Sequence, residues 1–403
     1  MTTIEDPPQP SDGLNSSGLR RVLVALCLTE ITSWGILYYA FPVVSVSISR
    51  DTGWSNSVVV AAFSVSQLVA AVIGIPVGRV LDRCGPRWVM TAGSTLAVAA
   101  LIIIATARTL PLFFAGWMIA GVAMGAVLYP PAFAALTRWY GDDYVKALTI
   151  LTLAAGLAST VFAPIAAALV EQFDWRTTYL TLAIALAVIT VPAHAWRLRG
   201  GWPNPAHPVH TKAGDHRRTR RSPEFLTLTV ALAAGAFAAS AGAFNLVPLL
   251  IEQGFSPGLA ALTLGLGGAG QVVGRLFYLP LAAQTSVRVR TASVIAVTGL
   301  STAWLGLASS VAVLIGIAIG AGLVRGIFTL IQATAVTDRW GAEHYGHLNG
   351  IMFARIVIVM ALAPWAGTVL STWAGSYAQA YLVLGATAVF GAVLSAARTT
   401  SGT

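Results

Sequence analysis

Long apolar runs, separated by short polar loops, follow one another along almost the whole chain. Twelve such runs are present, each 19 to 27 residues long. An α-helix needs about 20 predominantly apolar residues to cross the hydrocarbon core of a bilayer. The pattern therefore predicts an all-α membrane protein with twelve transmembrane helices, at 22–46, 55–78, 88–107, 111–135, 146–170, 176–196, 225–251, 258–283, 291–309, 311–335, 347–371 and 376–396.

The composition agrees with insertion into a membrane. Hydrophobic residues make up 56% of the 403 residues, charged residues make up 10%, and the mean hydropathy is +0.76. A soluble domain has about 25% charged residues, so that class of protein is excluded. The net charge of +9 comes from loops rather than from one basic face, so we expect a lipid bilayer and no nucleic acid as partner. Cys27 and Cys84 are too few for a disulfide framework.

The basic residues predict the orientation of the helices. If the N-terminus is cytoplasmic, eighteen of the 24 Lys and Arg residues lie in cytoplasmic loops or tails, and only Arg50, Arg108 and Arg176 lie in outside loops. Cytoplasmic loops of membrane proteins are enriched in Lys and Arg. We therefore expect a multi-pass protein of the cytoplasmic (inner) membrane with both termini cytoplasmic.

The chain divides into two similar halves. Gly53-Trp54-Ser55 recurs as Gly254-Phe255-Ser256, and Arg138-Trp139 recurs as Arg339-Trp340, in both cases 201 residues further on. An offset of half the chain indicates a duplicated bundle, as in transporters built from repeats. The expected units are a disordered N-terminal tail at 1–19, a six-helix bundle at 20–196, a cytoplasmic linker at 197–224, a second, pseudo-symmetric six-helix bundle at 225–396 and a C-terminal tail at 397–403.

The junction between the second and third runs carries four charged residues in ten, Gly78-Arg79-Val80-Leu81-Asp82-Arg83-Cys84-Gly85-Pro86-Arg87. We expect a loop that turns the chain at the cytoplasmic surface, because Gly-Pro favours a tight reversal. The loop resembles the signature between helices 2 and 3 of the major facilitator superfamily, and Pro86 is typical of its monocarboxylate-porter-like branch. The resemblance implies a gating motif that holds the cytoplasmic sides of the bundles together in the outward-open state, formed by Gly78, Asp82, Arg83, Gly85 and Arg87.

Other segments resemble the same branch. Tyr39-Ala40-Phe41-Pro42 matches its Y-A-F-P in helix 1, and Trp54-Ser55 opens the second run as in its members. Two positions depart from known patterns. Val43 stands where animal members carry a lysine implicated in proton and substrate handling, and Ala163-Pro164-Ile165-Ala166-Ala167 stands where drug antiporters tend to have Gly-Pro-x-x-Gly-Gly. The resemblance implies a secondary transporter that moves a small organic anion, with protons, by alternating access.

Four ionisable residues lie at membrane depth, Glu30, Arg275, Arg325 and Arg355. A charge there costs about 2.5–3.5 kcal/mol on insertion scales, so it persists where it is used or paired. Gln271 precedes Arg275 by one turn, and the pair resembles helix 8 of the monocarboxylate porters, where the arginine holds the substrate carboxylate. The planar guanidinium suits this role because it donates two parallel hydrogen bonds. Arg325 is a further candidate for substrate binding. For Arg275 the alternatives are a salt bridge between helices or a side chain that extends to the membrane surface.

Glu30 is the candidate proton-coupling group, because it is the one acidic residue within the apolar runs. With Val43 in place of lysine and no histidine at midplane, a proton that crosses with substrate needs this carrier. The alternative is a buried ion pair with Arg355, which lies at similar depth. Trp34 and Tyr38 follow Glu30 along one helix face and are candidates for substrate binding, or else core residues.

Three further patterns concern local structure. Tyr129-Pro130-Pro131 removes two backbone donors from the fourth run and predicts a kink. The glycine-rich stretch from Gly265 to Gly270 predicts close helix packing rather than a phosphate-binding loop. The histidines at helix ends or in loops are expected to be solvated, namely His194, His344 and His347.

The sequence contains no motif for catalysis, metal binding or nucleotide binding. We therefore expect no enzyme activity, no metal and no cofactor, and a small-molecule substrate driven by its own gradient or by an ion. The expected function is proton-coupled transport of a small organic anion. The alternative is proton-driven efflux of a drug-like or metalloid-containing compound. A receptor is disfavoured by the short tails, and we expect a monomer.

Overall fold

The structure, a computed structural model, describes residues 14–202, 219, 221–340 and 345–397. Within these residues it is helical and contains no strand, which confirms the all-α prediction. The predicted tails at 1–19 and 397–403 and the linker at 197–224 lie largely outside the described residues. The same holds for His344 and for the side chain of His347.

Twelve long helices make up the described part of the chain, six before residue 202 and six after residue 221. They are α1 (Ser16–Thr52), α2 (Asn56–Cys84), α3 (Pro86–Thr106), α4 (Leu110–Tyr140), α5 (Tyr144–Gln172), α6 (Trp175–Arg197), α7 (Pro223–Phe244), α8 (Pro257–Leu276), α9 (Val287–Leu307), α10 (Val311–Thr334), α11 (Tyr345–Ala374) and α12 (Tyr377–Ala397). Short helices extend α7, α8 and α10, at Leu246–Glu252, Tyr278–Gln284 and Thr337–Trp340.

Eleven of these helices are long and apolar enough to span a membrane. α9 is 21 residues long but is less apolar, because it begins with Arg288 and Arg290 and carries serine and threonine along its length. Membrane-spanning helices are therefore confirmed, and a count of twelve spans stays a prediction. Exposed tryptophans lie near both ends of the helices, as membrane-interface residues do, with Trp88 62% and Trp304 64% exposed.

The junction between α2 and α3 is shorter than predicted. α2 continues to Cys84, so most of the expected ten-residue loop is helical. Pro76 and Gly78 lie inside α2 without ending it. Gly85 makes the turn with a φ of 74°, a conformation that favours glycine, and Pro86 begins α3. The predicted turn at Gly85-Pro86 is confirmed, but the prediction of a loop before it is wrong.

Three helices are interrupted near candidate site residues. α4 breaks at Leu128, whose backbone is extended, and prolines occupy the first turn of the next segment. This confirms the predicted kink at Tyr129-Pro130-Pro131. α5 breaks between Ala155 and Ala158, and α1 contains a π-helical turn at Gly35–Tyr39. Such π-helical turns are frequent at functional sites.

Helices α1–α6 form the N-terminal bundle and α7–α12 the C-terminal bundle. Their ends define two faces. The basic face is the end that carries Arg87, Arg138, Arg288 and Arg339, and the distal face is the opposite end. At the distal face the bundles meet, since the Asn56 amide nitrogen on α2 donates a hydrogen bond to the Tyr377 hydroxyl on α12 at 2.9 Å.

Close packing of α5 against α8 extends this contact inward. The Thr160 hydroxyl donates to the Gly265 carbonyl at 2.8 Å, and a Cβ added at Gly265 would lie 3.2 Å from Thr160 Cα. A Cβ at Gly268 would collide with Ser159. The prediction of close helix packing through Gly265 to Gly270 is therefore confirmed.

On the side of α2 and α11 the bundles separate toward the basic face, whereas α5 and α8 stay in contact as far as Thr152 and Arg275. α2 has buried residues between Val59 and Ser66 but none at 67–80. A Cβ added at Gly74 or Gly78 on α2, or at Gly350 on α11, would meet nothing within 4 Å. Contact at the distal face and separation at the basic face leave a central cavity that opens at the basic face.

Candidate functional site: the central cavity

The C-terminal wall of the cavity holds an oriented arginine. Arg325 on α10 donates from Nε to the Gln271 side-chain oxygen on α8 at 3.1 Å. Gly326 permits this close approach, because a Cβ there would lie 3.1 Å from the Arg275 backbone nitrogen. Within the described residues the remaining N–H groups of Arg325 make no hydrogen bond. Gln271 therefore orients Arg325, not Arg275, and leaves the end of the guanidinium group free.

Arg275, the predicted carboxylate-binding residue, reaches across to the N-terminal bundle. Its guanidinium donates to the backbone carbonyl of Thr152 on α5. The same carbonyl accepts from the Gly156 N–H at 3.0 Å, at the point where α5 breaks. Arg275 is thus bound to a backbone carbonyl and not to a carboxylate, so the expected alternative of a salt bridge is absent from the described part of the chain.

The N-terminal wall carries an unpaired carboxyl group. Glu30 on α1 is fully buried, at 0% exposure, and neither carboxyl oxygen has a hydrogen-bond partner among the described residues. Trp34 lies one turn further along, and its buried indole N–H, which forms no hydrogen bond of normal geometry, lies within electrostatic range of the Glu30 carboxyl group. An unpaired charge in such a place costs several kcal/mol more than a neutral polar group does. The site therefore suits a carboxyl group that carries a proton.

Aromatic rings surround the space between the two walls. The rings of Trp34 and Tyr38 lie 5.4 Å apart, and Trp34 also contacts Tyr129 at 5.0 Å. All three are half-buried. Tyr38 lies within electrostatic range of Arg325, and Tyr129 lies within range of Arg275 and Glu30. The aromatic stripe on α1 therefore lines the cavity. Tyr129 was missed as a site residue, although the two prolines after it marked the break that brings it there.

Arg355 does not neutralise Glu30 in this structure. Arg355 is exposed on α11, and within the described residues it forms no ion pair. The expected buried pair is absent here because the bundles separate on this side, so a residue at matching depth in α11 faces open space. The two residues are at similar depth without being in contact.

The gating motif forms its contacts within the N-terminal bundle. Asp82 pairs with Arg138 at the end of α4, with 2.6 Å between Oδ1 and a guanidinium nitrogen. Arg87 donates from Nε to the Ala195 carbonyl at 2.8 Å. Arg83 is exposed, and Gly78 borders open space. Among the described residues, no hydrogen bond or ion pair joins the motif to the C-terminal bundle in this conformation.

His194 is not solvated, so that prediction is wrong. It is 0% exposed, and its Nδ1 lies 2.8 Å from the Ser94 hydroxyl on α3. The reason is that α6 continues through a π-helical turn to Arg197, which places His194 inside the bundle. Neither residue belongs to a metal site, since the described residues contain no cluster of three His, Cys, Asp or Glu side chains that could hold a metal.

Known proteins resemble this chain in sequence and in fold. The profile of the Major Facilitator Superfamily matches residues 26–354. Monocarboxylate transporter 11 of Homo sapiens is 27% identical over 281 residues, which cover 67% of this chain and 57% of that protein. Monocarboxylate transporter 12 of Homo sapiens is 23% identical over 412 residues, which cover 92% of this chain and 78% of that protein.

A solved structure supports the fold. The bacterial homologue of the human lysosomal transporter Spinster, in an inward-facing and unoccupied conformation, has a TM-score of 0.74 and 14% identity, and covers 94% of this chain and 95% of that chain. The chain spans little more than half of monocarboxylate transporter 11, so the activity of that relative is not carried over here. The family match covers most of the chain, and it agrees with the motif between α2 and α3 and with the helical bundles. The chain is therefore a multi-pass membrane protein that belongs to the Major Facilitator Superfamily.

Proposed function

We propose that this transporter moves small monocarboxylates across the cytoplasmic membrane together with protons, by alternating access. The observation that carries the proposal is the chemistry of the two cavity walls. One wall holds Arg325, oriented by Gln271 at 3.1 Å, and the other holds Glu30, buried and without a partner. An oriented guanidinium binds an anion, and a partner-free carboxyl group can carry a proton.

The anion site is built on Arg325. The guanidinium donates two parallel hydrogen bonds to a carboxylate, and fixing Nε on Gln271 reduces the entropy lost on binding. A small cavity lies beside Arg325 between α7, α8, α9 and α10, and glycine and alanine form half of its lining, including Gly242, Gly267 and Gly322. Such a lining accepts the short apolar part of a small organic acid. The relatives named as monocarboxylate transporters agree with this substrate class.

Arg275 is the second candidate contact for the substrate. In this conformation its guanidinium is bound to the Thr152 carbonyl, at the break in α5. A carboxylate is a stronger acceptor for a cationic donor than a backbone carbonyl is. A substrate anion that takes over this hydrogen bond frees the break in α5, and thereby links substrate binding to the packing of α5 against α8.

Glu30 carries the proton in this proposal, and Arg355 acts on it only from a distance. Trp34 and Tyr38 line the path between Glu30 and Arg325 and contact the substrate. The basic face is cytoplasmic, both termini are cytoplasmic, and Asp82 with its neighbours in the gating motif controls closure at that face. The working unit is a monomer.

Transport by purified protein in liposomes tests the proposal. Labelled lactate and its neutral amide, lactamide, are compared with and without an imposed pH gradient, and protein-free liposomes correct for leakage. We expect lactate to accumulate against its gradient only when the pH gradient is present, and a proton ionophore to abolish this accumulation. Lactamide is expected not to accumulate.

Two outcomes would contradict the proposal. Equal transport of lactate and lactamide would show that the negative charge is not recognised, and would favour efflux of neutral or drug-like compounds. Lactate uptake that ignores the pH gradient would remove proton coupling and leave facilitated diffusion of the anion.

A further inference from the structure

The basic face differs between the two bundles in a way that the transport cycle does not explain. In the N-terminal bundle, the hollow between α1, α3, α4 and α6 is filled by the chain itself. Leu198 is 1% exposed there, and the Trp202 ring lies 5.6 Å from the Trp139 ring. The Trp139 indole donates to the Gly201 carbonyl at 3.0 Å. The segment Leu198–Trp202 thus covers this hollow.

The corresponding hollow of the C-terminal bundle is an open groove. It lies between α7, α9, α12 and the extension of α10, and holds about 900 Å³ of space. Trp340, the counterpart of Trp139, lines it and contacts Phe225 at 5.5 Å between ring centroids. Among the described residues, the groove is lined by the ends of helices, and no segment covers it as Leu198–Trp202 covers its counterpart.

The charges in the groove indicate what that occupant is. Arg288 donates to the Ala396 carbonyl, and Arg339 donates to the Thr291 hydroxyl at 3.0 Å. Within the described residues neither arginine forms an ion pair, so both have further N–H groups for a ligand. Glu224 also lines the groove, is exposed, and forms no ion pair there. Two cations beside one carboxylate match a ligand that carries both a phosphate group and an ammonium group.

The position of the groove indicates a lipid. It opens at the basic face, where a bilayer places its headgroups, and its lining includes Leu228, Val287 and Leu394. One to two turns toward the membrane centre, Val230 is 51% and Phe390 is 61% exposed, which leaves an apolar surface for acyl chains. Basic pockets between transmembrane helices are known to bind lipid headgroups. We propose that this groove binds an aminophospholipid, with its phosphate on Arg288 and Arg339 and its primary ammonium on Glu224.

Native mass spectrometry and thermal unfolding of the full chain in detergent test this site. The probes are phosphatidylethanolamine, phosphatidylcholine and phosphatidylglycerol, with inorganic phosphate as the free anion. We expect phosphatidylethanolamine to raise the unfolding midpoint most, and Arg288→Gln to weaken its binding about tenfold through the loss of charged hydrogen bonds. Arg20→Gln, an exposed arginine of the N-terminal bundle, is the matched control and should bind lipid as the wild type does.

Glu224→Gln tests the ammonium contact and does not depend on the folding of the arginine variant. It should remove the preference for phosphatidylethanolamine over phosphatidylglycerol while lipid binding persists. The proposal is overturned if Arg288→Gln binds phosphatidylethanolamine as the wild type does, or if phosphatidylcholine protects equally well. Equal protection by inorganic phosphate would assign the groove to a free anion. Absence of protection by every lipid would also overturn the proposal.

Discussion

The two bundles share one helical plan but bring opposite chemistry to the cavity. The N-terminal bundle contributes a single buried carboxyl group, Glu30, among half-buried aromatic rings. The C-terminal bundle contributes Arg275 and Arg325, with Gln271 to orient one of them. Each ionisable group at this depth carries a cost of about 2.5–3.5 kcal/mol. The difference teaches that duplication supplied the frame, while the proposed function depends on charges that the two halves do not share.

The two bundles also differ in their charged residues at the basic face. Both bundles have an ion pair at the basic face, but the two pairs join different helices. In the N-terminal bundle Asp82 at the end of α2 pairs with Arg138 at the end of α4. In the C-terminal bundle Arg290 near the start of α9 pairs with Asp338 in the extension of α10, at 2.8 Å. The basic end of the fourth helix of each bundle therefore carries an ion pair in both halves, whereas the partner helix and the signs of the charges differ.

Removal of Arg325 should have the largest effect on substrate binding, because it takes the oriented cation from the C-terminal wall of the cavity. We predict that Arg325→Ala weakens monocarboxylate binding about 100-fold, the scale expected for a charged hydrogen-bonded contact. Arg325→Lys should recover part of the loss, because an ammonium keeps the charge but not the fork. Isothermal titration of detergent-purified protein with lactate measures both.

Arg20→Ala provides the control for Arg325→Ala, since it removes an equal charge at an exposed site on α1. Lactate affinity should be unchanged in that variant. If Arg325→Ala binds lactate as Arg20→Ala does, the anion site lies elsewhere on the wall. Arg275, at present bound to Thr152, then becomes the primary anchor.

Replacement of Glu30 should remove the carboxyl group from the N-terminal wall of the cavity without disturbing the packing of that wall. We predict that Glu30→Gln abolishes lactate accumulation driven by a pH gradient but keeps lactate exchange across the membrane. The free energy of unfolding should change by less than about 1 kcal/mol, because Glu30 has no ion-pair partner to lose. Counterflow and gradient-driven uptake in liposomes separate the two activities.

Glu171→Gln is the matched control for Glu30→Gln, because it neutralises an exposed glutamate at the distal end of α5. It should leave both activities intact. Gradient-driven uptake that survives in Glu30→Gln would assign the proton to another group and leave Glu30 as a buried polar residue.

Sequence reasoning located the helices and the charges in them, because apolar length and the cost of burying charge are readable along one chain. It did not identify the partner of Gln271, which depends on how closely Gly326 lets α10 approach α8. It also misjudged His194, whose burial follows from a π-helical turn that extends α6. Contacts between helices and small changes of helical register were the parts that one-dimensional patterns did not contain.

The two basic-face ion pairs should respond unequally to the loss of their carboxylates. The Arg290 side chain is 6% exposed and Asp338 is 25% exposed, whereas Asp82 is 60% exposed. We predict that Asp338→Asn lowers the free energy of unfolding by about 1–3 kcal/mol, because it leaves a buried guanidinium without a counter-charge. Asp82→Asn should lower it by less than about 1 kcal/mol and should instead slow transport turnover.

Denaturant unfolding in detergent, measured together with single-turnover transport, tests this inequality. Each variant serves as the control for the other, since both change aspartate to asparagine at matching faces. Equal loss of stability would mean that burial does not distinguish the pairs. Unchanged turnover in Asp82→Asn would reduce the gating motif to a structural role.

The smallest effect should come from Arg355, the residue at the depth of Glu30 on the other bundle. It is exposed and forms no ion pair within the described residues, so Arg355→Gln should change the free energy of unfolding by less than about 0.5 kcal/mol. A remaining long-range attraction for the substrate anion would be screened over about 8 Å at physiological salt. The KM for lactate should therefore rise less than about threefold at low salt and match the wild type at 0.5 M salt, where screening is stronger still. A loss of coupling as complete as that of Glu30→Gln would show instead that the two residues pair when the basic face closes, and that the separation between them belongs to this conformation alone.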